Sequence, residues 1–90
     1  MSRYVFASWI KDVKAVSKEY GVPAETIEEC LDDFFATALD EYIVPVGSKR
    51  RLRIVRHRGV VVLQLAEKRG RGYTTTKHPW FFVFCIQEGG

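Results

Sequence analysis

Four residues of this sequence carry the side chains that most often bind metals or act as nucleophiles: Cys30, His57, His78 and Cys85. Zinc sites are recognised by close pairs such as Cys-x-x-Cys or His-x-x-x-His, and these residues form no such pair. A nucleophilic cysteine needs a polar, electropositive environment, whereas both cysteines lie in apolar-patterned segments beside phenylalanines. We therefore predict no metal, no cofactor and no catalytic residue, and we expect both cysteines to be reduced, buried thiols.

Other catalytic patterns are also missing from the sequence. The glycines of the KRGRG segment, residues 68–72, lack the spacing of a P-loop or a dinucleotide-binding loop. Asp32 and Asp33 point to different faces of a helix and have no companion base. The sequence thus indicates a binding protein and not an enzyme.

Charge is distributed unevenly along the chain, whose formal net charge is +3. Residues 1–48 contain four bases and nine acids, a net charge of −5, and residues 49–90 contain ten bases and two acids, a net charge of +8. Such a split bears on partners, because one surface can meet a basic partner and the other an acidic one. The simpler alternative is that these charges only solvate two exposed faces.

The basic residues cluster around two glycine-containing segments, which is the pattern expected for contact with phosphates. Tyr73 lies beside the second cluster and is placed to stack on an unpaired base. The sequence has no RNP aromatic pair, no GXXG loop and no basic recognition helix, so we expect contacts to backbone charge, with RNA and DNA both open. The candidate nucleic-acid-binding residues are Arg50, Arg51, Arg53, Arg56, Arg58, Lys68, Arg69, Arg71, Tyr73 and Lys77.

Ninety residues allow one domain, residues 1–90, with one modest core. Apolar residues at helical spacing predict a first helix over residues 9–20, with Ser8 as its N-cap and Gly21 just after its end. Pro23 suits the first turn of a second helix, predicted over residues 23–41 with Ala38 and Tyr42 on its apolar side. Together these helices form a hairpin over about residues 8–42.

After a break predicted at residues 43–49, apolar residues alternate with period two, which is typical of strands. One strand places Leu52 and Ile54 inward, a turn follows at Arg58 and Gly59, and the next strand contains Val61, Leu63 and Leu65. We expect residues 67–72 to be a mobile basic loop and the rest of the sheet, about residues 50–87, to add one or two strands. The predicted fold is α+β, with two layers: an N-terminal helical hairpin packed on a small, three-stranded antiparallel sheet, in the order ααβββ.

Residues 80–86 are apolar on both faces of the predicted strand. A helical layer covers only one face of such a sheet, so the other face requires further cover. Trp80, Phe82 and Phe84 are therefore the candidate interface of a homodimer, or of a complex with an obligate partner; a fold in which this strand is core remains the alternative.

Two segments carry a resemblance to a known family. The run VKAVSKEYGVPAETIEECLDDFFATALDEY followed by RLRIVRHRGVVVLQL resembles the start of the N-terminal domain of the bacterial transcription factor NusA, over about residues 10–66. The residues that correspond are Val16, Ser17, Pro23, Ile27, Leu31, Ala36, Ala38, Tyr42 and residues 51–57.

This resemblance implies a protein that binds RNA polymerase near the flap tip and the RNA exit channel and controls pausing, termination and elongation. A cytoplasmic location is expected from the reduced cysteines. The S1 and KH modules by which that family binds RNA have no counterpart here. We expect the helical hairpin to present Glu28, Asp32, Phe35 and Leu39 to the partner. Two other functions stay open: a small nucleic-acid-binding protein, and an adaptor or inhibitor that binds a protein and no nucleic acid.

No membrane association is expected from the sequence. The longest apolar runs have about eight residues, far below the roughly 20 of a membrane-spanning helix. Lys11, Asp12 and Lys14 interrupt the N-terminal region, where a signal peptide would be continuously apolar.

Overall fold

The computed structural model of the chain describes residues 3–6, 12–75 and 77–86. Its elements are β1 (Tyr4–Phe6), α1 (Val13–Tyr20), α2 (Ala24–Phe35), β2 (Glu41–Pro45), β3 (Arg50–His57), β4 (Val60–Arg69), β5 (Gly72–Thr74) and β6 (Phe81–Cys85). The α+β class, with a helical hairpin and an antiparallel sheet, is confirmed. The order ααβββ is incomplete, because a strand precedes the helices and the sheet of the described residues has six strands instead of three.

The strands are arranged in the order β1-β6-β4-β3-β2, and β5 pairs with the end of β4 beyond β6. Every pairing is antiparallel. The strand β1 has three residues, and its partner among the described residues is β6, about 80 residues away along the chain, with Tyr4 opposite Cys85. So short a strand has no periodic pattern of its own.

Helix α1 begins after Asp12, whose carboxylate accepts a hydrogen bond from the backbone N–H of Ala15 at 3.1 Å. It ends at Gly21, whose φ of +66° is the left-handed conformation expected there. The predicted cap Ser8 and the predicted helical residues Trp9 and Ile10 lie outside the described residues. The predicted end of the first helix is confirmed.

Helix α2 ends at Phe35, six residues before its predicted end. The Thr37 hydroxyl donates to the Phe34 carbonyl at 3.0 Å, which satisfies one of the last carbonyls of the helix. The chain then enters β2, where Tyr42 and Val44 pair with Ile54 and Leu52 on β3. Placing Ala38 and Tyr42 on the helix was therefore wrong, and so was the break predicted at residues 43–45. The strand β2 has only five residues, and the spacing of Ala38 and Tyr42 also fits an i, i+4 pair on a helix.

Two hairpins build the centre of the sheet. Arg58 and Gly59 both have positive φ, 53° and 78°, which is the two-residue turn that matches the strand twist, and the predicted turn is confirmed. The predicted mobile loop at residues 67–72 is wrong. Strand β4 continues to Arg69, and the chain then turns at Gly70. Lys68 of β4 pairs with Tyr73 of β5. This hairpin could not be predicted from apolar alternation, because residues 67–72 are charged residues and glycines.

The core lies between the helices and one face of the sheet. Sheet residues with almost no exposure, such as Leu52, Ile54 and Leu63, pack against apolar residues of both helices. The hydroxyl of buried Tyr20 donates to the Pro79 carbonyl at 2.6 Å and lies 3.2 Å from the Leu63 carbonyl, and burial raises the pKa of this phenol. The bond to Pro79 fastens α1 to the segment that leads into β6.

The two cysteines differ in environment. Cys30 is buried, as predicted, and burial raises the pKa of its thiol, which disfavours the reactive thiolate. Cys85 is exposed, so the prediction of a buried thiol was wrong for this residue. It is the last residue of β6 and pairs with the short edge strand β1, so it lies at a corner of the sheet.

Candidate nucleic-acid interface

One face of the sheet carries the helices, and we call the other the open face. Alternation along β3 directs Leu52 and Ile54 to the core and Arg51 and Arg53 to the open face. Residues that pair across neighbouring strands lie on the same face of the sheet. The open face therefore also contains Val62, Gln64, Lys68, Tyr73, Phe82 and Phe84.

Cationic side chains gather where the loop between β2 and β3 meets the turn between β4 and β5. The backbone N–H of Lys68 donates to the Lys49 carbonyl at 2.8 Å, which holds these two segments together. Tyr73 pairs with Lys68 across the hairpin. We call this group the basic end of the sheet, and its members are Lys49, Arg51, Lys68, Arg69, Arg71 and Tyr73.

A stacked pair marks the basic end on the open face. The guanidinium carbon of Arg51 lies 4.0 Å from the centroid of the Tyr73 ring, and both residues are exposed. A guanidinium that stacks by its flat side keeps its N–H groups, which lie in its plane, available for hydrogen bonds. Among the residues that the structure describes, no carboxylate pairs with Arg51.

Arg53 lies in the middle of the open face and is already paired. Its Nη2 and Nε donate to one carboxylate oxygen of Glu41 at 2.6 and 3.0 Å, and its Nη1 donates to Gln64 at 3.2 Å. This cross-strand pair compensates the charge of Arg53 inside the molecule, so less of it is available to a ligand.

Two of the candidate arginines face the helices. Arg50 donates to the carbonyls of Tyr20 at 2.9 Å and Gly21 at 3.3 Å, at the end of α1. The guanidinium of Arg56 lies 4.8 Å from the centroid of the Phe34 ring, at the end of α2, and donates to the Leu39 carbonyl at 3.2 Å. Arg50 thus binds carbonyls at the C-terminus of α1, where the helix dipole favours positive charge, and Arg56 packs on the last turn of α2.

The remaining candidates lie elsewhere. Arg58 occupies the turn at the other end of β3. This strand has eight residues at about 3.3 Å each, so Arg58 lies roughly 25 Å from the basic end. The ammonium of Lys77 lies 3.8 Å from Glu67, which also has His78 Nε2 at 2.6 Å. The hydrogen bond with His78 and the charge of Lys77 hold the pKa of Glu67 below its ordinary value.

The structure therefore divides the ten predicted residues. It brings five of them together at the basic end: Arg51, Lys68, Arg69, Arg71 and Tyr73. Lys49 belongs to the same group and was missed, although the continuous run Lys49, Arg50 and Arg51 in the sequence was a signal that could have found it.

An apolar stripe runs along β6 on the open face. Trp80, Phe82, Phe84 and Ile86 are each between 43 and 56% exposed, whereas the alternate residues Phe81 and Val83 are buried. The rings of Trp80 and Phe82 lie 5.9 Å apart and pack on each other. The sequence had predicted this alternation; a role of the stripe as an interface stays a prediction.

The residues proposed for a partner on the helical side have different environments. Phe35 stacks on Tyr4 with ring centroids 5.6 Å apart, and Asp32 accepts hydrogen bonds from Arg3 and from the Tyr4 hydroxyl, so both residues fasten β1 to α2. Glu28 is partly exposed. Leu39 is half exposed, in the connection that follows α2 instead of on the helix.

Within residues 3–6, 12–75 and 77–86, no three His, Cys, Asp or Glu side chains come together as metal ligands. The helices of this part of the chain are too short and too polar to cross a lipid bilayer. The chain matches no protein-family model, and no curated protein or solved structure is significantly similar to it. The resemblance to the NusA family thus stays a prediction from the sequence.

Proposed function

We propose that this protein binds nucleic acid by contacts between the basic end and backbone phosphates. The observation that carries this proposal is the convergence of five cations from the β2–β3 loop, β3, β4 and the following turn onto one end of the sheet. The neighbouring carboxylate of Glu67 is matched by Lys77 and His78, so the local charge is positive. A concentrated cationic surface of this kind attracts the phosphate backbone.

The chemistry of the basic end favours single strands. The Arg51–Tyr73 stack offers an aromatic ring beside a planar cation, and bases of any identity stack on such groups. The exposed residues of α2 are mostly acidic, and α1 has only eight residues, with Lys14 and Lys18 as its exposed cations, so neither helix offers the long basic face of a recognition helix. We expect a strong salt dependence, with a slope of about −3.5 in log K against log salt if all five cations displace counterions from a single strand.

This function is tested with the double variant Arg51→Glu and Lys68→Glu. We expect the affinity for a labelled single strand of about 20 nucleotides to fall at least tenfold at about 50 mM salt, with a shallower salt slope, in fluorescence anisotropy. The control is Lys14→Glu with Lys18→Glu, the same charge change on exposed positions of α1. Equal losses in both variants, or no loss in either, would contradict the proposal.

The apolar stripe is proposed to bind a second copy of this chain. Its four side chains expose roughly 300–400 Å² of apolar surface, of the size that marks an interface. They carry no charge, and the stripe follows β6 while the cations gather at the end of β4, so two copies can meet without opposing their basic ends. A standard interface buries about 800 Å² per partner, which is about twice the area of this stripe. We therefore expect a weak dimer that forms only as the protein concentration rises.

A second candidate function is regulation of transcription by binding RNA polymerase, which the NusA resemblance implies. It is favoured by the acidic, exposed surface of α2, formed by Glu25, Glu29 and Asp33, on the layer opposite the open face. Such a surface suits a basic protein partner while the basic end meets the transcript.

The polymerase hypothesis is tested by co-purification of the tagged protein with bacterial RNA polymerase, with and without nuclease. Retention after nuclease treatment, lost in the variant Glu29→Lys with Asp33→Lys, would support a direct contact through α2. If nuclease treatment removes the polymerase, the polymerase was held through nucleic acid, and only the nucleic-acid function is supported. Binding of another protein, with no affinity for nucleic acid, would instead indicate an adaptor.

A further inference from the structure

A cleft lies at the basic end, between the β2–β3 loop and β4. It has a volume of about 490 Å³ and is lined by Gly47, Ser48, Lys49, Arg50, Glu67 and Lys68. A second hollow of about 320 Å³ shares Ser48, Lys49 and Lys68 and reaches Gly70. The larger volume is within the range of sites that hold small ligands.

Hydrogen bonds hold the walls of this cleft in place. Lys68 donates its backbone N–H to the Lys49 carbonyl at 2.8 Å, and Val46 donates to the Arg50 carbonyl at 3.0 Å. The Arg50 side chain is fixed from below by the carbonyls of Tyr20 and Gly21. The cleft is therefore part of the folded frame of the sheet.

The charge of the cleft is positive. Lys49 and Lys68 are exposed, and neither forms an ion pair with any residue of the described segments. Arg50 donates to the carbonyls at the end of α1 and contributes its positive charge to the wall of the cleft. The one carboxylate in the lining, Glu67, is occupied by His78 and Lys77.

We propose that this cleft binds the terminal phosphate of a nucleic-acid strand. A terminal phosphate is a monoester whose second pKa is about 6, so it carries close to two charges at pH 7, against one for each phosphate within a strand. The ammonium groups of Lys49 and Lys68 match the two charges of that dianion, and the Ser48 hydroxyl adds a donor. The inference rests on the proposed function, since Lys68 leads directly from the cleft to Tyr73, over which the rest of the strand would lie.

The experiment compares three forms of one single strand of about 12 nucleotides: phosphorylated at the 5′ end, phosphorylated at the 3′ end, and with hydroxyls at both ends. We expect one phosphorylated form to bind about five- to tenfold tighter than the hydroxyl form. In the variant Lys49→Ala this ratio should fall to about one, whereas the control Lys18→Ala should keep it.

The outcomes separate this inference from the proposed function. A wild-type protein that binds all three forms equally would overturn the cleft assignment and leave the nucleic-acid function intact. If no strand binds, the proposed function fails, and titration with a nucleoside monophosphate and with inorganic phosphate, followed by NMR shifts of the Ser48 and Lys49 amides, tests the cleft alone. Binding of those small ligands only would overturn the assignment to a strand end, and absence of shifts would overturn the phosphate site altogether.

Discussion

Two neighbouring arginines, Arg50 and Arg51, show how position on a strand decides the role of a side chain. Arg50 points to the helices and donates to the last carbonyls of α1, whereas Arg51 lies on the open face against Tyr73. Arg53 and Arg56 differ in the same way, one paired with Glu41 and the other stacked on Phe34. Arginines on the helical side of β3 thus support the fold, and on the open face only Arg51 lacks a carboxylate partner among the described residues, because Arg53 is paired with Glu41.

At the residue scale, Glu67 predicts a pH-dependent stability. Its pKa is lowered from an ordinary value of 4.5 by the hydrogen bond with His78 and by Lys77, so the ionised form stabilises the folded state. A lowered folded pKa gives stability that is present above pH 4.5 and is lost as the pH falls through the folded value. We expect Glu67→Gln to be less stable than the wild type at pH 7, and the difference to narrow below pH 4.5.

Urea unfolding of both proteins at pH 7, 4.5 and 3 measures this difference. Glu29→Gln is the control, because it removes one exposed carboxylate of α2. A gap between Glu67→Gln and the wild type that is equally large at pH 3 would show that the Glu67 carboxylate is not responsible.

At the scale of elements, β3 links the two layers of the domain. Its core-facing residues Leu52 and Ile54 form the floor on which the helices pack, and Arg50 and Arg56, at its start and near its end, reach the C-termini of α1 and α2. Strand β3 therefore sets where each helix ends on the sheet. Its other face contributes Arg51 to the basic end.

The element-scale prediction concerns Arg56→Ala. This change removes the cation from the Phe34 ring and the hydrogen bond to the Leu39 carbonyl, so we expect the free energy of unfolding to fall by about 1–2 kcal/mol. The affinity for a single strand should stay within about twofold, because Arg56 faces the helices. Denaturant unfolding and anisotropy measure the two effects.

The exposed Arg69→Ala is the matched control, with a stability change below about 0.5 kcal/mol and a weakened affinity. If Arg56→Ala instead kept its stability and lost affinity, Arg56 would belong to the nucleic-acid interface as the sequence had indicated.

At the scale of the whole molecule, three surfaces are spatially separate: the acidic face of α2, the basic end, and the apolar stripe on β6. The acidic face and the basic end carry opposite charges that largely cancel, so the net charge is only +3 although charge is distributed very unevenly over the surface. A dimer through the stripe would add a second basic end to the same particle, which raises the avidity for a long strand by effective concentration.

The whole-molecule prediction is that Phe82→Glu prevents self-association. Phe82 lies near the middle of the stripe and is 43% exposed, so a charge there leaves the core intact but must be desolvated on dimer formation. We expect the wild type to show a rising sedimentation coefficient from ~10 to ~500 μM, and the variant to stay monomeric.

Leu39→Glu serves as the control, since Leu39 is 50% exposed, slightly more than Phe82, but lies after α2, away from the stripe. A wild type that remains monomeric over the whole range would refute the dimer and leave the stripe without a role in self-association.

The sequence alone determined the class of the fold, the corner at Gly21, the turn at Arg58 and Gly59, and the inward residues of β3 and β4. These features depend on local periodicity and on backbone preferences, which neighbouring residues specify. It also determined that charge separates along the chain and that residues 80–86 are apolar on both faces of a strand, whereas the exposure of one face came from the structure.

Only the tertiary structure decided which residues form the basic end. Pairing of Lys68 with Tyr73 and contact of Lys68 with Lys49 depend on strand register, and the removal of Arg50 and Arg56 to the helical side depends on where α1 and α2 end. The same holds for β1, which is too short to show a pattern and gains its place from β6 and Asp32. Long-range pairing is a property of the whole chain, so no local window contains it.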